Sequence, residues 1–308
     1  MKNYCITNRP PGTYQSPPGE WNQISSIDDI DATEIRNCNF TLFFEADDEY
    51  VYHINKIIEN RGMFHAEREY SNKCYFQSSK NAQLAIQKTA TIVDESSFAE
   101  MNSGPGGSPT ISGGQVVHSN ICQALEQTKD IDGDYVEIGV FKGSSALTAM
   151  NYMQIAGIKR KAYLLDTFSG FDYPDAMISS DAIWKNTFTI GVDPDNHIKM
   201  LFDDFSKSLP NQDFELVKSN ICIDDLPVEI DNIAVANIDV DMYDATLESL
   251  KKISKKLSVG GIIMCEDSTS TPACIGAFVA MENFLDTPPG QKFIKIHAVA
   301  QYFLIKMS

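Results

Sequence analysis

Val136-Glu137-Ile138-Gly139-Val140-Phe141-Lys142-Gly143-Ser144-Ser145 reads as the end of a strand, a glycine turn and the start of a helix. Gly139 and Gly143 stand where backbone must approach a ligand closely, because no Cβ intrudes there. The hydroxyls of Ser144 and Ser145 suit a helix N-cap. The stretch departs from the dinucleotide fingerprint G-x-G-x-x-G, since Phe141 occupies the position of the second glycine. That points away from a pyrophosphate ligand. The Glu137 carboxylate is expected to meet a cationic ammonium, directly or through water. A G-x-x-x-G spacing alone also arises from a tight turn that serves only packing.

Around this stretch helix and strand signals alternate. A helix over 116–127 and the turn Asp132-Gly133 precede the strand 135–138. Further strands are expected at 162–165, 214–217, 233–238, 262–265, 293–296 and 301–306. Helices are expected around 197–205, 245–257 and 274–284, with Gly260-Gly261 as a C-cap after the second of these. Most of the apolar runs are short and unbroken, as in strands buried between helix layers. The fold class is therefore α/β, a doubly wound, mostly parallel, seven-stranded sheet of Rossmann-like type.

In such sheets ligands bind beyond the carboxyl ends of the strands. Glu137, Asp166, Asp239 and Glu266-Asp267 stand at or just before four of the first five ends. Asp166 is placed to accept the ribose hydroxyls of an adenosine. Asn220 and Asp224-Asp225 follow the third strand, where adenine would lie, and Asp225 is the expected contact. The long polar segment 170–196 carries Tyr173, Trp184 and Phe188 and suits a lid. Ordinary packing explains those aromatics equally well.

The main break is Asn102-Ser103-Gly104-Pro105-Gly106-Gly107-Ser108-Pro109. It divides a smaller α+β auxiliary or cap region, 1–109, from the main domain, 110–308. Before the break, strands at 39–44 and 74–76 and an amphipathic helix at 49–60, stopped by Gly62, are expected. No chemical motif is found there.

The chain has 308 residues and a formal net charge of −17, which disfavours nucleic acid. Hydrophobic content of 43% and charged content of 22% are ordinary for a globular protein. No apolar run approaches the roughly 20 residues of a membrane span, and the first residues lack the apolar core of a signal peptide. A cytoplasmic location is expected. None of the seven cysteines forms a C-x-x-C pair, so no zinc knuckle or redox motif is indicated. Cys122, Cys222 and Cys265 read as small, reduced core residues.

Glu137 to Ser145 and Asp166-Thr167-Phe168-Ser169-Gly170-Phe171 resemble the macrocin O-methyltransferase family of class I methyltransferases. The likeness continues at Asp239-Val240-Asp241-Met242-Tyr243-Asp244-Ala245-Thr246 and at Leu257-Ser258-Val259-Gly260-Gly261 with Glu266-Asp267. It runs from about residue 116 to the carboxyl end. The family methylates sugar hydroxyls of macrolides and related natural products. The resemblance implies S-adenosylmethionine (SAM) as methyl donor and a divalent metal, usually magnesium.

By motif position the cofactor set would be Glu137, Ile138, Gly139, Gly143, Ser144, Ser145, Asp166, Thr167, Phe168 and Asp225. Asp239, Glu266 and Asp267 would be the metal ligands. Hard carboxylates on adjacent strand ends suit Mg²⁺, and an acidic rim without metal is the alternative reading of the same residues. Asp239, Asp241 and His197 are the candidates for the general base. A small hydroxylated acceptor is implied, and a homo-oligomer by analogy with relatives.

Three other readings stand beside this one. N-methylation of an amino sugar suits the acidic surface. An NAD(P)-dependent oxidoreductase would want a Tyr-x-x-x-Lys pair after a central strand, but Tyr52/Lys56 and Tyr302/Lys306 do not follow one. A degenerate SAM-binding scaffold would not need carboxylates at four strand ends.

Overall fold

A computed structural model of the protein describes residues 2–8, 20–31, 34, 38–42, 80–95, 114–174, 188–266, 268, 275–298 and 301–308. The expected helix at 49–60, the strand at 74–76, the break at 102–109, Trp184 and Asp267 lie outside the described residues. Near the amino end, β1 (Lys2–Ile6), β2 (Asn22–Ile24) and β3 (Cys38–Leu42) form a parallel sheet in the order β2-β1-β3. Of these only β3 corresponds to an expected strand.

The main sheet contains β4 (Asp134–Ile138), β5 (Ala162–Asp166), β6 (Phe214–Lys218), β7 (Ile233–Ile238), β8 (Leu257–Cys265), β9 (Phe293–Ala298) and β10 (Gln301–Lys306). Its order is β6-β5-β4-β7-β8-β10-β9, and only β10 runs antiparallel to its neighbours. The seven-stranded, mostly parallel expectation holds. The chain leaves β4 toward β5 and β6, then returns to β7 on the other side of β4. A crevice opens at that reversal.

Helices cover both faces. On one lie α1 (Lys80–Glu95), α2 (Gly114–Gln127), α3 (Ser144–Ala156) and α4 (Pro194–Ser208); on the other lie α5 (Tyr243–Lys256) and α6 (Ile275–Leu285). The strand period of two divides each strand between these cores. Tyr135 joins the first, and Val136 and Ile138 the second.

α1 was not expected from the sequence, yet it packs on α3 and places Ala82, Ala85 and Val93 in the first core. With both α1 and α2 against it, α3 is buried from Ser144 to Met153. A polar contact also crosses this seam, where Asn151 Nδ2 donates to Thr89 Oγ1 at 3.2 Å.

Two local expectations are corrected. The N-cap of α3 is Gly143, in the left-handed region at φ 76°, with no side-chain cap hydrogen bond. Ser144 and Ser145 stand inside the helix instead. Gly260 and Gly261 do not cap α5, whose C-cap is Leu257. They lie within β8, where the pairing with β7 shifts between Ile233 and Val235. Gly260 has φ +83°, and a Cβ on Gly261 would meet the Ala234 oxygen at 3.0 Å, so the pair accommodates the irregularity. No helix among the described residues is long and apolar enough to cross a membrane.

Candidate active site

A cavity of about 510 Å³ lies at the carboxyl ends of the central strands, within the size range of small-molecule sites. Gly139 forms its floor. Its φ is +90°, its amide donates to the Leu165 carbonyl at 2.9 Å, and a Cβ would stand 1.7 Å from the Asp239 carbonyl oxygen. The glycine is therefore demanded by the close passage of β7.

Asp166 ends β5 and ties this floor together. Its Oδ2 accepts the amides of Val140 at 2.7 Å and Phe141 at 2.8 Å, and its Oδ1 accepts that of Phe168 at 2.7 Å. One carboxylate thus fixes both the turn after β4 and the turn after β5. Every described non-glycine residue with positive φ lines the same cavity: Phe141 (48°), Phe168 (56°), Phe188 (56°) and Asp241 (56°). Left-handed backbone of this kind costs about 1–2 kcal/mol per residue and persists where surrounding structure imposes it.

Glu137 sits beneath the turn, fully buried. Tyr135 Oη donates to its Oε2 and Ser145 Oγ donates to its Oε1 at 2.8 Å. Burial raises its pKa to about 7, against the opposing pull of those hydrogen bonds. On the α4 side, His197 is buried edge-on to Phe168, with ring centroids 5.5 Å apart. Burial lowers its pKa to about 4, outweighing the neighbouring Asp166 carboxylate and Phe168 backbone, so the ring is neutral near pH 7.

The opposite half is acidic. Asp239 and Asp241 follow β7 and Glu266 follows β8, and all three line the cavity. Gln301 Nε2 donates to Glu266 Oε2 at 3.4 Å. Aromatic rings also line the cavity. Phe188 stands edge-on to Phe141 at 5.4 Å and to Phe171 at 5.5 Å, and Tyr173 Oη contacts Met242 Sδ at 4.0 Å. Among the described residues no group of three His, Cys, Asp or Glu side chains is gathered closely enough to hold a metal.

The family model described as "Macrocin-O-methyltransferase (TylF)" matches residues 48–303. The chain belongs to the macrocin-O-methyltransferase family. Demethyldecarbamoylnovobiocin O-methyltransferase of Streptomyces niveus is 26% identical over 168 residues, spanning 50% of this chain and 61% of that relative's length. Among solved structures, the O-methyltransferase NovP aligns over 75% of this chain and all (100%) of its own, with 21% identity and a TM-score of 0.57. That likeness establishes the class I methyltransferase fold.

The fold of this macrocin-O-methyltransferase family member gathers most of the expected residues. Ile138, Gly139, Ser144, Ser145, Asp166, Thr167, Phe168, His197, Asp239, Asp241 and Glu266 all line the cavity. Gly143 acts beside it, as the helix cap. Two expectations are corrected. Glu137 does not face the cavity, because its place in β4 turns it toward α3, where Tyr135 and Ser145 occupy it. Asp225 is exposed and outside the lining, whereas Ser219, Asn220 and Ile221 occupy that wall. Lys142 and Ser219 are lining residues that the sequence reading missed. A signal existed for each: Lys142 lies inside the glycine turn, and Ser219 follows β6 as Thr167 follows β5.

Proposed function

We propose that this chain transfers a methyl group from SAM to a hydroxyl of a sugar or other polyhydroxylated natural product, with a divalent cation, Mg²⁺, at the acidic end of the cavity. The observation that carries the reading is the division of one cavity into two chemically distinct halves. One half offers glycine backbone, the first turn of α3 and Asp166, which suits the adenosine and amino-acid ends of SAM. The other offers carboxylates, which suit hydroxyls, and the aromatic rings of the lining suit the apolar face of a sugar or aglycone ring. The S. niveus relative is named for O-methylation of demethyldecarbamoylnovobiocin, a small-molecule acceptor, which supports the same class of substrate.

Asp239 and Glu266 supply hard oxygen donors from neighbouring strand ends, and Asp267 follows directly in sequence. This donor set fits Mg²⁺ chemistry. When bound, such a cation lowers the pKa of an acceptor hydroxyl and orients it. In this reading Asp239, with Asp241 two residues on, takes the hydroxyl proton. His197 stands on the far side of β4 from both, on the cofactor flank, and is the weakest of the three candidates for the base. Methyl transfer is then governed by holding the two reactants in line and keeping water out.

In this reading residues 110–308 form the catalytic domain and 1–109 an auxiliary region, with α1 its link to α3. The same proposal has a cytoplasmic protein without nucleic acid or membrane partners, and a homo-oligomer by analogy with relatives. The test is turnover of SAM with vicinal-diol glycosides, followed by mass spectrometry, with Mg²⁺ and with chelator. A methylated hydroxyl that depends on Mg²⁺ supports the proposal. Methylation of an amine only, or equal rates in chelator, overturns the corresponding part.

A further inference from the structure

We propose that Gln301 is a positioning residue for the acidic half of the site, whose amide holds the Glu266 carboxylate in the orientation that a divalent cation needs. This rests on the reading of Glu266 as a cation ligand. The backbone beneath the acids is fixed by a row of hydrogen bonds across the strand ends. The Asp239 amide donates to the Ile138 carbonyl at 2.9 Å, and the Glu266 amide to the Ile238 carbonyl at 3.1 Å. That row leaves the rotatable bonds of the Glu266 side chain to be settled by a neighbour. β10 supplies it. Tyr302 pairs with Cys265 of β8, so Gln301 stands opposite Glu266 in the antiparallel ladder. Gln301 Nε2 donates to Glu266 Oε2 at 3.4 Å. Gln301 is itself held in place, because its ladder partner Ala298 accepts at its carbonyl from Asn120 Nδ2 of α2 at 2.7 Å.

Gln301 is fully buried and is not part of the cavity lining, whereas Glu266 is, so Gln301 acts on the site through Glu266. Folding alone gives little reason for an amide here. A bond of 3.4 Å is at the long end of the hydrogen-bond range and stabilises weakly. Oε1 of the same amide is buried with no hydrogen-bond partner among the described residues, which costs stability. A methionine of similar volume would fill the place without that cost. A polar group kept at a loss to the fold is commonly kept for function. The chemistry of the amide fits this role. It donates to a carboxylate without neutralising it, whereas a lysine or arginine would compete with the cation for the same charge. Removing a group that holds a ligating side chain from behind typically weakens cation binding about ten- to a hundredfold.

The test titrates Mn²⁺, a paramagnetic substitute for Mg²⁺, into the full chain and follows it by electron paramagnetic resonance. Thermal unfolding without cation and calorimetry with S-adenosylhomocysteine are measured beside it. Gln301→Met should bind Mn²⁺ at least about tenfold more weakly, keep its affinity for S-adenosylhomocysteine, and melt no lower than the wild type. Gln301→Asn, which keeps the amide but draws it back by one carbon, should also weaken Mn²⁺, and it carries the test if Gln301→Met does not fold. Wild-type Mn²⁺ affinity in the folded Gln301 variants overturns the proposal. So does a lowered melting temperature with parallel losses for Mn²⁺ and S-adenosylhomocysteine, which marks a merely structural role. A wild type that binds no Mn²⁺ overturns the cation reading, and this proposal with it.

Discussion

Ser145 Oγ donates to Glu137 Oε1 at 2.8 Å, joining the first turn of α3 to β4 directly beneath the glycine turn. Glu137 therefore sets the position of α3 without lining the cavity. Its acidity should be visible in stability. The folded pKa is raised to about 7, against an ordinary 4.5, chiefly by burial. Between those values the folded state keeps a proton that the unfolded chain has released. The resulting stabilisation is full below about pH 4.5 and is lost as pH rises toward about 7. Glu137→Gln lacks this dependence. Denaturant unfolding of both proteins from pH 5 to 8 should show the wild type losing stability relative to the variant. A difference that stays constant with pH would contradict the assignment.

Gly139→Ala should be among the most damaging single substitutions. The added Cβ meets the Asp239 carbonyl oxygen at 1.7 Å, and the backbone must hold φ +90°. Relief requires β4 and β7 to part, so a loss of about 4 kcal/mol or failure to fold is expected. Thermal unfolding checks this, and a variant melting within a few degrees of the wild type would refute the close-passage argument.

Asp239→Asn and Glu266→Gln should separate chemistry from cofactor binding. Both residues line the cavity and follow strands that β4 separates from β5, which carries Asp166. Turnover should fall by about a hundredfold or more while affinity for S-adenosylhomocysteine changes little. Calorimetry beside initial rates makes the comparison; parallel losses in both would mean that the two halves are not distinct.

Asp225→Ala should be silent. The residue is exposed and outside the cavity, so cofactor affinity should stay within about twofold of the wild type. Ser219→Ala, one wall nearer, should weaken it. The reverse order, measured in the same titration, would return Asp225 to the site.

Features enforced locally were legible in the sequence. Gly139 announces itself because only glycine survives that approach, and Asp166, Asp239 and Glu266 stand out because each ends an apolar run. What depends on direction or distant packing was hidden. β4 is buried on both faces, so no alternation reveals that Glu137 turns toward α3. Gly260-Gly261 carries the same letters whether it caps a helix or eases a strand past Ala234. The helical spacing of Ala82, Ala85, Ile86, Thr89 and Val93 was present but modest, since small and polar residues dominate it. Its burial comes from α3, more than fifty residues onward.

Methyl transfer across one cavity, from a SAM half to a hydroxyl held by the acidic half, can be followed atom by atom. The most direct measurement uses SAM with a labelled methyl group and a panel of vicinal-diol glycosides, comparing the wild type with Asp239→Asn. Label is expected on an acceptor oxygen with the wild type, with near-complete loss in the variant although SAM remains bound. Wild-type protein that binds SAM but labels no hydroxyl in any acceptor, or a variant that labels as fast as the wild type, would contradict it.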